Sequence, residues 1–364
     1  MYLERLYINN FKNYTEAEID FCPRINCLVG NNGSGKTNLL DAIYHLSFSK
    51  SYFGSTGRDH IRYGEEFYAI NGRYMLGGNE AEVNLVQRKG QRKSLKFNKK
   101  ECERMSDHVG RIPLVMISPQ DQELIYGGSD LRRKFIDAAI SQSNHAYLEN
   151  LLLYNKALEQ RNRLLKQEGF DLSLLEVFDL QLCRHGKLIF EERTRFIQQF
   201  IPVFERFYAL LAEDSEQAGL AYKSPLQEKP FESLLQESAQ KDRILQYTTA
   251  GIHKDDLSLL LNGHPIRLCG SQGQQKSYLL ALRLSQLQYL AEIGHAYPIL
   301  LLDDMFDKLD LHRINRLMEL VGKDDFGQVF LSDTHDSRVL DLFAHHPVEH
   351  RVYRIENAQP VLIG

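Results

Sequence analysis

The sequence predicts an α/β protein. Its main α/β domain, here called the head, is split between the two ends of the chain and interrupted by an inserted, mainly helical lobe. Strand-like segments with glycine turns fill the first and last thirds, whereas residues 121–246 show long helical periodicity. A glycine-rich loop near the amino terminus and an apolar strand with two terminal aspartates near the carboxyl terminus mark the halves of the head. We expect residues 1–118 and 246–364 to form the head and residues 119–245, with a short hairpin, to form the lobe.

Length, charge and cysteine content limit the class of protein. The chain has 364 residues, with 44 Lys and Arg against 48 Asp and Glu, a formal net charge of −4 and 43% hydrophobic residues. This length suits two domains or one elaborated domain, and the charge argues against a simple basic coat protein for nucleic acid. The longest aliphatic run, residues 299–302, is far shorter than a membrane span, and the first residues lack a signal-peptide core. Five scattered cysteines suggest no disulfide framework, so we expect a cytoplasmic protein.

The most specific motif follows the apolar segment 24–29. It matches the P-loop pattern G-x-x-x-x-G-K-S/T at every position and precedes a segment with helical apolar spacing. Its glycines let successive backbone N–H groups converge on phosphates at a helix N-terminus. We expect Lys36 to reach the β- and γ-phosphates of ATP and the Thr37 hydroxyl to bind Mg²⁺. The predicted nucleotide-binding residues of the loop are Gly30, Asn31, Asn32, Gly33, Ser34, Gly35, Lys36 and Thr37.

Residues 68–100 have the alternation and the glycine turns of a β-meander. Its last part is strongly basic, so that the net charge of −4 resolves into +7 over residues 88–100 and −11 elsewhere. Such a run is typical either of a solvated face or of a surface that contacts nucleic-acid phosphates, and the sequence leaves both interpretations open. The basic residues are Arg88, Lys89, Arg92, Lys93, Lys96, Lys99 and Lys100.

The middle of the chain is helical in its patterning. Residues 114–118 predict one more strand, and helical periodicity begins after it. Leu151, Leu158 and Leu165 recur at seven-residue spacing, but they span only about two heptads, fewer than a coiled coil needs. An ordinary helical hairpin is therefore the better prediction for this segment.

Strand-like patterning returns near residue 257. A predicted hairpin covers residues 257–261 and 266–268, and a Ser-x-Gly-Gln turn at residues 271–274 opens a well-patterned helix. Such a turn at a helix start can bind an anion, although Ser and Gly also begin many helices as simple caps. By itself this turn is a weak signal.

Two carboxylates end the apolar strand 297–302. We expect this strand to lie beside the P-loop strand, so that Asp303 holds Mg²⁺ opposite Thr37. Asp304 is then placed to polarise the water that attacks the γ-phosphate. These two residues therefore predict a hydrolytic centre beside the P-loop.

The separation of the motifs points to a family. Lys36 and Asp303 stand far apart with the helical segment between them, and a Ser-x-Gly-Gln turn precedes the acidic strand. This arrangement resembles the ABC-type ATPases of the SMC/Rad50/RecF group and, over essentially the whole chain, the RecF family of recombination and repair proteins. The matching segments are residues 10–14, 30–37, 118–121, 127–137 with Arg132 and Arg133, 253–257, 271–275, 303–304 and 309–310.

The resemblance implies a split P-loop ABC-type ATPase head and an ATP-dependent homodimer that encloses ATP and Mg²⁺. The P-loop of one chain would bind the nucleotide, while Ser271 and Gly273 of the other chain would contact its γ-phosphate. Gln274 would belong to the same site, and Lys12 and Asn13 would touch the nucleotide beside the P-loop.

Further side chains would serve hydrolysis. Gln120 would lie in the loop that senses Mg²⁺ and water, Asp304 would be the catalytic base, and Asp310 would belong to a loop that crosses the dimer interface. Glu is the usual RecF residue at position 120 and Arg at position 254, and the usual Ser-Glu is replaced by Asp307 and Lys308. His335 lies where transporter ATPases place a γ-phosphate-sensing His, yet that residue is not a reliable feature of the family, and a surface loop residue is the favoured interpretation.

The resemblance also implies a DNA-binding protein of recombinational repair, replication and the SOS response. ATP-driven dimerisation on DNA, ended by slow hydrolysis, would help to load a recombinase at single-strand gaps. The implied partners are duplex or junction DNA without sequence preference, the mediators RecR and RecO, and the recombinase RecA, with no membrane.

Two other functions stay open. One is the ATP-hydrolysing subunit of a membrane transporter, against which the segment 10–14, the long separation of the motifs and the polar insert argue. The other is a small-molecule kinase, which has no use for a second anion-binding turn.

Overall fold

The computed structural model divides the chain into two units, each with its own sheets and helices. Unit 1 comprises Met1–Asp121 and Leu279–Gly364, and unit 2 comprises Gln122–Tyr278. The structure describes residues 1–54, 57–169, 171–212, 216–294, 297–304, 311–323, 326–345 and 348–364.

The regular elements alternate as the α/β prediction requires. The strands are β1 (Tyr2–Phe11), β2 (Tyr14–Asp20), β3 (Ile25–Val29), β4 (Phe67–Leu76), β5 (Asn79–Arg88), β6 (Ser94–Phe97), β7 (Lys100–Glu101), β8 (Leu114–Ile117), β9 (Ala218–Lys223), β10 (Asp256–Leu261), β11 (His264–Pro265), β12 (Ile299–Leu302), β13 (Val329–Asp333), β14 (His350–Glu356) and β15 (Gln359–Leu362). The helices are α1 (Lys36–Phe48), α2 (Glu123–Tyr126), α3 (Ser129–Ser143), α4 (His145–Leu165), α5 (Leu172–Leu211), α6 (Phe231–Leu245), α7 (Ile266–Cys269), α8 (Gln272–Gly294), α9 (Leu311–Val321) and α10 (Asp336–His345).

The sheet that carries the P-loop has the strand order β15-β14-β3-β13-β12-β8. The five strands from β14 to β8 run parallel, so their carboxyl ends share one edge of the sheet. Strands β3, β8, β12 and β13 are buried along their whole length. Continuous apolar runs of this kind are typical of parallel strands covered on both faces.

One expectation about strand order is wrong. We expected the strand of Asp303 to lie directly beside the P-loop strand, but β13 separates β12 from β3. The runs that form β12 and β13 are equally apolar, and apolar patterning does not tell which buried strand pairs with which. The site therefore has to bridge two inter-strand spacings, each of about 4.8 Å.

The second sheet of unit 1 is antiparallel, with the order β2-β1-β4-β5-β6-β7. It contains the predicted meander, which the structure confirms from β4 to β7. Alternate residues face the core, where Leu6 and Ile8 of β1 belong to the same apolar cluster as Leu39 and Ile43 of α1. The sheet thus backs the helix that follows the P-loop.

Unit 2 contains the predicted helical hairpin, formed by α4 and α5. Its strand β9 pairs with β10 over six residues, from Ala218 opposite Leu261 to Lys223 opposite Asp256. Residues 246–278, which we assigned to the head, therefore pack with the lobe in this unit. Among the described residues, no helix combines the length and the hydropathy that a membrane span requires.

The predicted strand at residues 266–268 is wrong, because Ile266–Cys269 form the short helix α7. Strand β10 pairs instead with β11, which has only two residues and places Pro265 opposite Leu260. Pro265 has no N–H to extend the ladder, and its φ of −56° suits the residue that precedes a helix.

A buried arginine joins the elements of unit 2. Arg193, 1% exposed on α5, contacts Asp255 at 2.6 Å and Asp137 at 2.9 Å and donates to the carbonyl of Ile252 at 2.9 Å. Burial raises the pKa of Asp255, and the Arg193 guanidinium opposes that rise. The ion pairs therefore lock α3, α5 and the turn before β10 together.

Two of the segments that carry the family resemblance contact each other directly: residues 127–137 and residues 253–257. Arg132 donates to Asp256 at 2.7 Å, and Arg133 donates to the carbonyl oxygen of Asp255 at 2.6 Å. His253 lies between the Tyr154 hydroxyl and the Thr248 carbonyl, and burial lowers its pKa to about 4. These motif residues hold the lobe together rather than forming a separate site.

Replacing Arg193 by Ala should lower the free energy of unfolding of unit 2 by about 3–5 kcal/mol, because it leaves buried carboxylates without their cation. Chemical denaturation followed by circular dichroism measures this loss. Arg195 lies on the same helix, is exposed and pairs with Glu192. Arg195→Ala should cost less than about 1 kcal/mol. Equal losses in the two variants would contradict the role of Arg193.

Candidate nucleotide-binding site

The P-loop leaves β3 at Gly30 and enters α1 at Lys36. Gly35 has a φ of +120°, and a Cβ there would lie 2.9 Å from Nδ2 of Asn13 and 3.0 Å from the Tyr14 hydroxyl. Gly30 has a φ of +148°, and a Cβ there would lie 2.6 Å from the carbonyl oxygen of Ile355. Both positions therefore need glycine for conformation and for space.

The ammonium of Lys36 lies over the loop itself. Its Nζ donates to the carbonyl oxygens of Gly30 at 2.6 Å and Asn31 at 3.0 Å, and the residue is 7% exposed. The N-terminus of α1 adds backbone N–H groups and a partial positive charge at the same place. A phosphate group in the loop would thus meet a cation and oriented N–H donors together.

Residues of the segment 10–14 brace the P-loop. The Asn13 amide donates to the carbonyl oxygen of Ser34 at 3.4 Å and accepts from Asn38 of α1 at 2.7 Å. The buried Tyr14 hydroxyl donates to the carbonyl oxygen of Gly35 at 3.1 Å. The structure thus brings Asn13 to the P-loop, and its contact with the nucleotide stays a prediction.

Lys12, by contrast, uses its ammonium in a buried ion pair. Its Nζ lies 2.7 Å from Oδ2 of Asp41, a fully buried carboxylate that also accepts from the Ser51 hydroxyl and the Tyr52 N–H. His45 and His60 lie close enough to Asp41 to suggest a metal site. The carboxylate already has three donors, including a cation, so we assign this cluster a structural role.

Thr37 and Asp303 meet at the edge of the sheet. The Thr37 hydroxyl donates to Oδ1 of Asp303 at 2.9 Å, and Asp303 is 4% exposed. Burial raises the pKa of Asp303, while hydrogen bonds from Ser332 and Thr37 oppose the rise. A hydroxyl and a carboxylate are hard oxygen ligands of the kind that Mg²⁺ takes beside nucleotide phosphates. These two residues fit the predicted metal site.

Ser332 of β13 holds both acidic residues. Its hydroxyl donates to Oδ1 of Asp303 at 2.9 Å and accepts from the backbone N–H of Asp304 at 2.9 Å. Asp304 has a φ of +49°, a left-handed conformation that is uncommon for a residue other than glycine. The strand that separates β12 from β3 therefore supplies the hydroxyl that holds the two acidic residues at the end of β12. Sequence analysis did not assign Ser332 to the site, although its position at a strand end was a usable signal.

Of the remaining predicted residues of the reaction, Gln120 and His335 make local hydrogen bonds within their own turns. Gln120 is exposed in a 3-10 turn after β8, and its N–H donates to the Ser118 hydroxyl at 3.2 Å. His335 is exposed after β13, and its N–H donates to Asp333 at 2.7 Å. Asp310, with the neighbouring positions 307 and 308, lies outside the described residues.

A polar cavity of about 560 Å³ borders the P-loop. Arg354, at the end of β14, lines it and pairs with Asp336 at 2.6 Å. The Arg354 hydrogen bond holds the pKa of Asp336 below its usual range. Asn31 and Asn32 of the P-loop line the same cavity.

The Ser-x-Gly-Gln turn opens α8 in unit 2. The Ser271 N–H donates to Oε1 of Gln274 at 2.6 Å, and the Ser271 hydroxyl accepts from the Gln274 N–H at 3.3 Å. This reciprocal pair has the form of a capping box. Ser271 is exposed and Gly273 partly so. The turn thus presents its hydroxyl at a helix N-terminus.

The basic segment 88–100 divides into surface and buried positions. Lys93 is half-buried and donates to the carbonyl oxygen of Ser49 at 2.8 Å, and Lys89 pairs with Glu66 at 2.9 Å. Burial lowers the pKa of Lys93. Within the described part of the chain, five exposed members of the segment have no ion-pair partner: Arg88, Arg92, Lys96, Lys99 and Lys100.

The chain matches known proteins over nearly its whole length. Residues 2–352 match the family described as the RecF/RecN/SMC N terminal domain. The chain is 44% identical over 359 residues to the DNA replication and repair protein RecF of Parabacteroides distasonis, which covers 99% of this chain and 98% of that protein. It is 46% identical over 361 residues to RecF of Flavobacterium johnsoniae, with 98% and 100% covered.

Solved structures also resemble this chain over its whole length. The structure described as the recombination mediator protein RecF-ATP in the RecFOR pathway is 29% identical, has a TM-score of 0.91 and covers 100% of this chain and 98% of that one. The Smc head domain of Pyrococcus furiosus, with an extended coiled coil and bound to the C-terminal domain of ScpA, is 17% identical with a TM-score of 0.60, and the match covers 100% and 96%. The second likeness concerns the fold alone. The predicted ABC-type ATPase head fold is confirmed.

Replacing Gly35 by Ala should weaken ATP binding at least about tenfold, because the new Cβ collides with Asn13 and Tyr14 and the backbone conformation is strained. Isothermal titration calorimetry with ATP and Mg²⁺ measures the affinity. Gly77 also has a positive φ, but a Cβ there meets open space in the turn between β4 and β5. Gly77→Ala should therefore bind ATP normally. Unchanged affinity in Gly35→Ala would contradict the site.

Proposed function

Since the chain belongs to the RecF family of DNA replication and repair proteins, we propose that it is an ATP-dependent DNA-binding protein of recombinational repair and replication. The observation that carries this proposal is the junction of Thr37, Ser332 and Asp303 beside a complete P-loop. A similar solved structure is described as a recombination mediator in the RecFOR pathway. We infer that this chain acts in the cytoplasm with the mediators RecR and RecO and with the recombinase RecA.

ATP binding follows from the P-loop. The phosphates would occupy the loop and draw the Lys36 ammonium from the carbonyl oxygens of Gly30 and Asn31 onto phosphate oxygens. Thr37 and Asp303 would hold Mg²⁺, which neutralises charge on the β- and γ-phosphates when it is bound. Asn13 and Tyr14 keep the loop backbone in place for this contact.

Hydrolysis would depend on Asp304. Its carboxylate is the proposed base that takes a proton from the attacking water. Ser332 fixes the backbone of Asp304 relative to Asp303, so the base and the metal ligand keep one geometry. Gln120, in the exposed turn after β8, is the proposed residue that senses the water and the metal.

A second copy of the chain would complete the site. Ser271 and Gly273, in unit 2, would form an anion-binding turn, and the P-loop lies in unit 1. We infer that ATP bound by one chain contacts this turn of the other chain, so that ATP assembles a dimer and hydrolysis releases it.

The exposed basic residues of the segment 88–100 are the proposed phosphate contacts for DNA. Five of them have charges that no ion pair neutralises within the described chain, which suits a surface that contacts phosphates. Lys93 is better explained as a structural residue, because its ammonium is half-buried. The transporter ATPase that the sequence left open has no support among the relatives described above.

Retention of the protein by gapped DNA should be strong with ATP and weak with ADP or without nucleotide, because only ATP closes the dimer. Charge reversal of Arg92, Lys96 and Lys100 should weaken retention and lower the slope of log affinity against log salt by up to about 3. Reversal of three exposed basic residues of unit 2 is the matched control and should change neither: Lys166, Lys241 and Arg243. Equal retention in all nucleotide states would overturn the proposed function, and an unchanged salt slope in the first variant would remove the DNA surface.

Asp304→Asn should keep ATP-driven dimerisation and lose hydrolysis, because the amide preserves shape but cannot take a proton. Size-exclusion chromatography and phosphate release measure the two properties. Asp130→Asn is the control, since Asp130 is an exposed residue of α3 that pairs with Lys134 and has no proposed part in proton transfer. An Asp304→Asn protein that hydrolyses ATP at the normal rate would remove Asp304 from the mechanism.

A further inference from the structure

The Ser-x-Gly-Gln turn owes its shape to the side chain of Gln274. Oε1 of Gln274 accepts from the Ser271 N–H at 2.6 Å, and the Gln274 N–H donates to the Ser271 hydroxyl at 3.3 Å. If the Gln274 amide turned over, its NH₂ group would face the Ser271 N–H, and two donors would oppose each other. The orientation of one amide therefore decides whether the turn closes.

A carboxylate sets that orientation. Oε1 of Glu216 accepts from Nε2 of Gln274 at 2.6 Å, and Oε2 of Glu216 accepts from the Tyr208 hydroxyl at 2.6 Å. An ionised carboxylate only accepts hydrogen bonds, so it selects the NH₂ end of Gln274 and leaves Oε1 for Ser271. Tyr208 is 1% exposed in the last turn of α5 and holds the other oxygen of Glu216 in place.

The same frame anchors the rest of the first turns of α8. Tyr278 donates to the carbonyl oxygen of Gly219 in β9 at 2.6 Å, and its ring packs on that of Tyr208 with centroids 5.8 Å apart. Gln275 accepts from the Tyr126 hydroxyl at 2.7 Å. Glu216 lies between α5 and β9, the two elements that hold this helix. The Glu216 carboxylate is therefore held beside the turn by the elements that anchor α8.

We propose that Glu216 is the positioning residue of the γ-phosphate-binding turn, acting through Gln274 on Ser271. The proposal rests on the dimer proposed above, in which this turn contacts ATP held by the second copy. Glu216 does not touch the phosphate, which its charge would repel. It fixes the amide that shapes the turn, so it governs dimerisation without governing the P-loop of its own chain.

Two quantities separate this role from a general structural one. The first is the ATP affinity of the single chain, measured below the dimerisation concentration, and the second is the dissociation constant of the ATP-bound dimer from analytical ultracentrifugation. Glu216→Ala should leave the first unchanged and raise the second about tenfold, the effect of losing one charged hydrogen bond. Glu216→Gln, which keeps the shape but can present either end of its amide, should raise it about threefold.

Two further variants complete the test. Tyr208→Phe keeps the contact between Glu216 and Gln274, so it should raise the dimer dissociation constant less than Glu216→Ala does. Gln274→Ala combined with Glu216→Ala should be no worse than the more severe single change, because the two residues act as one unit. Circular dichroism checks that each variant is folded, and Glu216→Gln serves if Glu216→Ala is not.

The outcomes are distinct. A Glu216→Ala or Glu216→Gln protein that dimerises as the wild type does would overturn the proposal, as would additive effects of Glu216→Ala and Gln274→Ala. A parallel loss of single-chain ATP affinity would also overturn it, because it would show a general structural role. A wild-type protein that stays monomeric with ATP and Mg²⁺ would overturn the proposed function itself, together with this inference.

Discussion

The hydrogen bond between Thr37 and Asp303 joins residues that are 266 positions apart in the chain, and the nucleotide site depends on it. It forms because the carboxyl ends of β3, β13 and β12 meet at one sheet edge, where Ser332 of the middle strand donates to the same oxygen of Asp303. Burial disfavours the charge of Asp303, and the two hydroxyl donors offset that cost. Thr37 and Asp303 can therefore meet only if all three strands are in place.

Other residues of unit 1 hold the P-loop, from which Thr37 reaches Asp303. Asn13 and Tyr14 hold the P-loop backbone, and the Lys12–Asp41 ion pair holds the segment that carries them. The same segment belongs to β1 and β2 or the turn between them, so the antiparallel sheet and the P-loop share a boundary. Unit 2 supplies a different half-site, the turn at Ser271, which Glu216 and Gln274 shape. In the proposed dimer, one chain would therefore carry two complementary halves of an ATP site.

Residue types at fixed spacing were enough to predict the local motifs. They were not enough to predict which strands and side chains, distant in the sequence, contact each other. The P-loop, the meander and the two aspartates after β12 each follow from residue types at fixed spacing, and all are present in the structure. The order of β13 and β12 could not be predicted, because both strands are uniformly apolar. The sequence does not distinguish Lys93 from the other basic residues of the segment 88–100. In the structure its ammonium donates to the carbonyl oxygen of Ser49. Glu216 had no signal at all, since its role depends on a contact with Gln274, 58 positions further along the chain.

In the proposed mechanism, ATP is hydrolysed between the P-loop of one copy and the Ser271 turn of another. Mixing two inactive variants, Lys36→Ala and Ser271→Arg, and measuring ATP hydrolysis tests this arrangement. A mixed dimer keeps one intact site, built from the P-loop of the Ser271→Arg chain and the turn of the Lys36→Ala chain. With random pairing we expect the mixture to regain roughly one quarter of wild-type activity. A mixture as inactive as either variant alone would contradict the account.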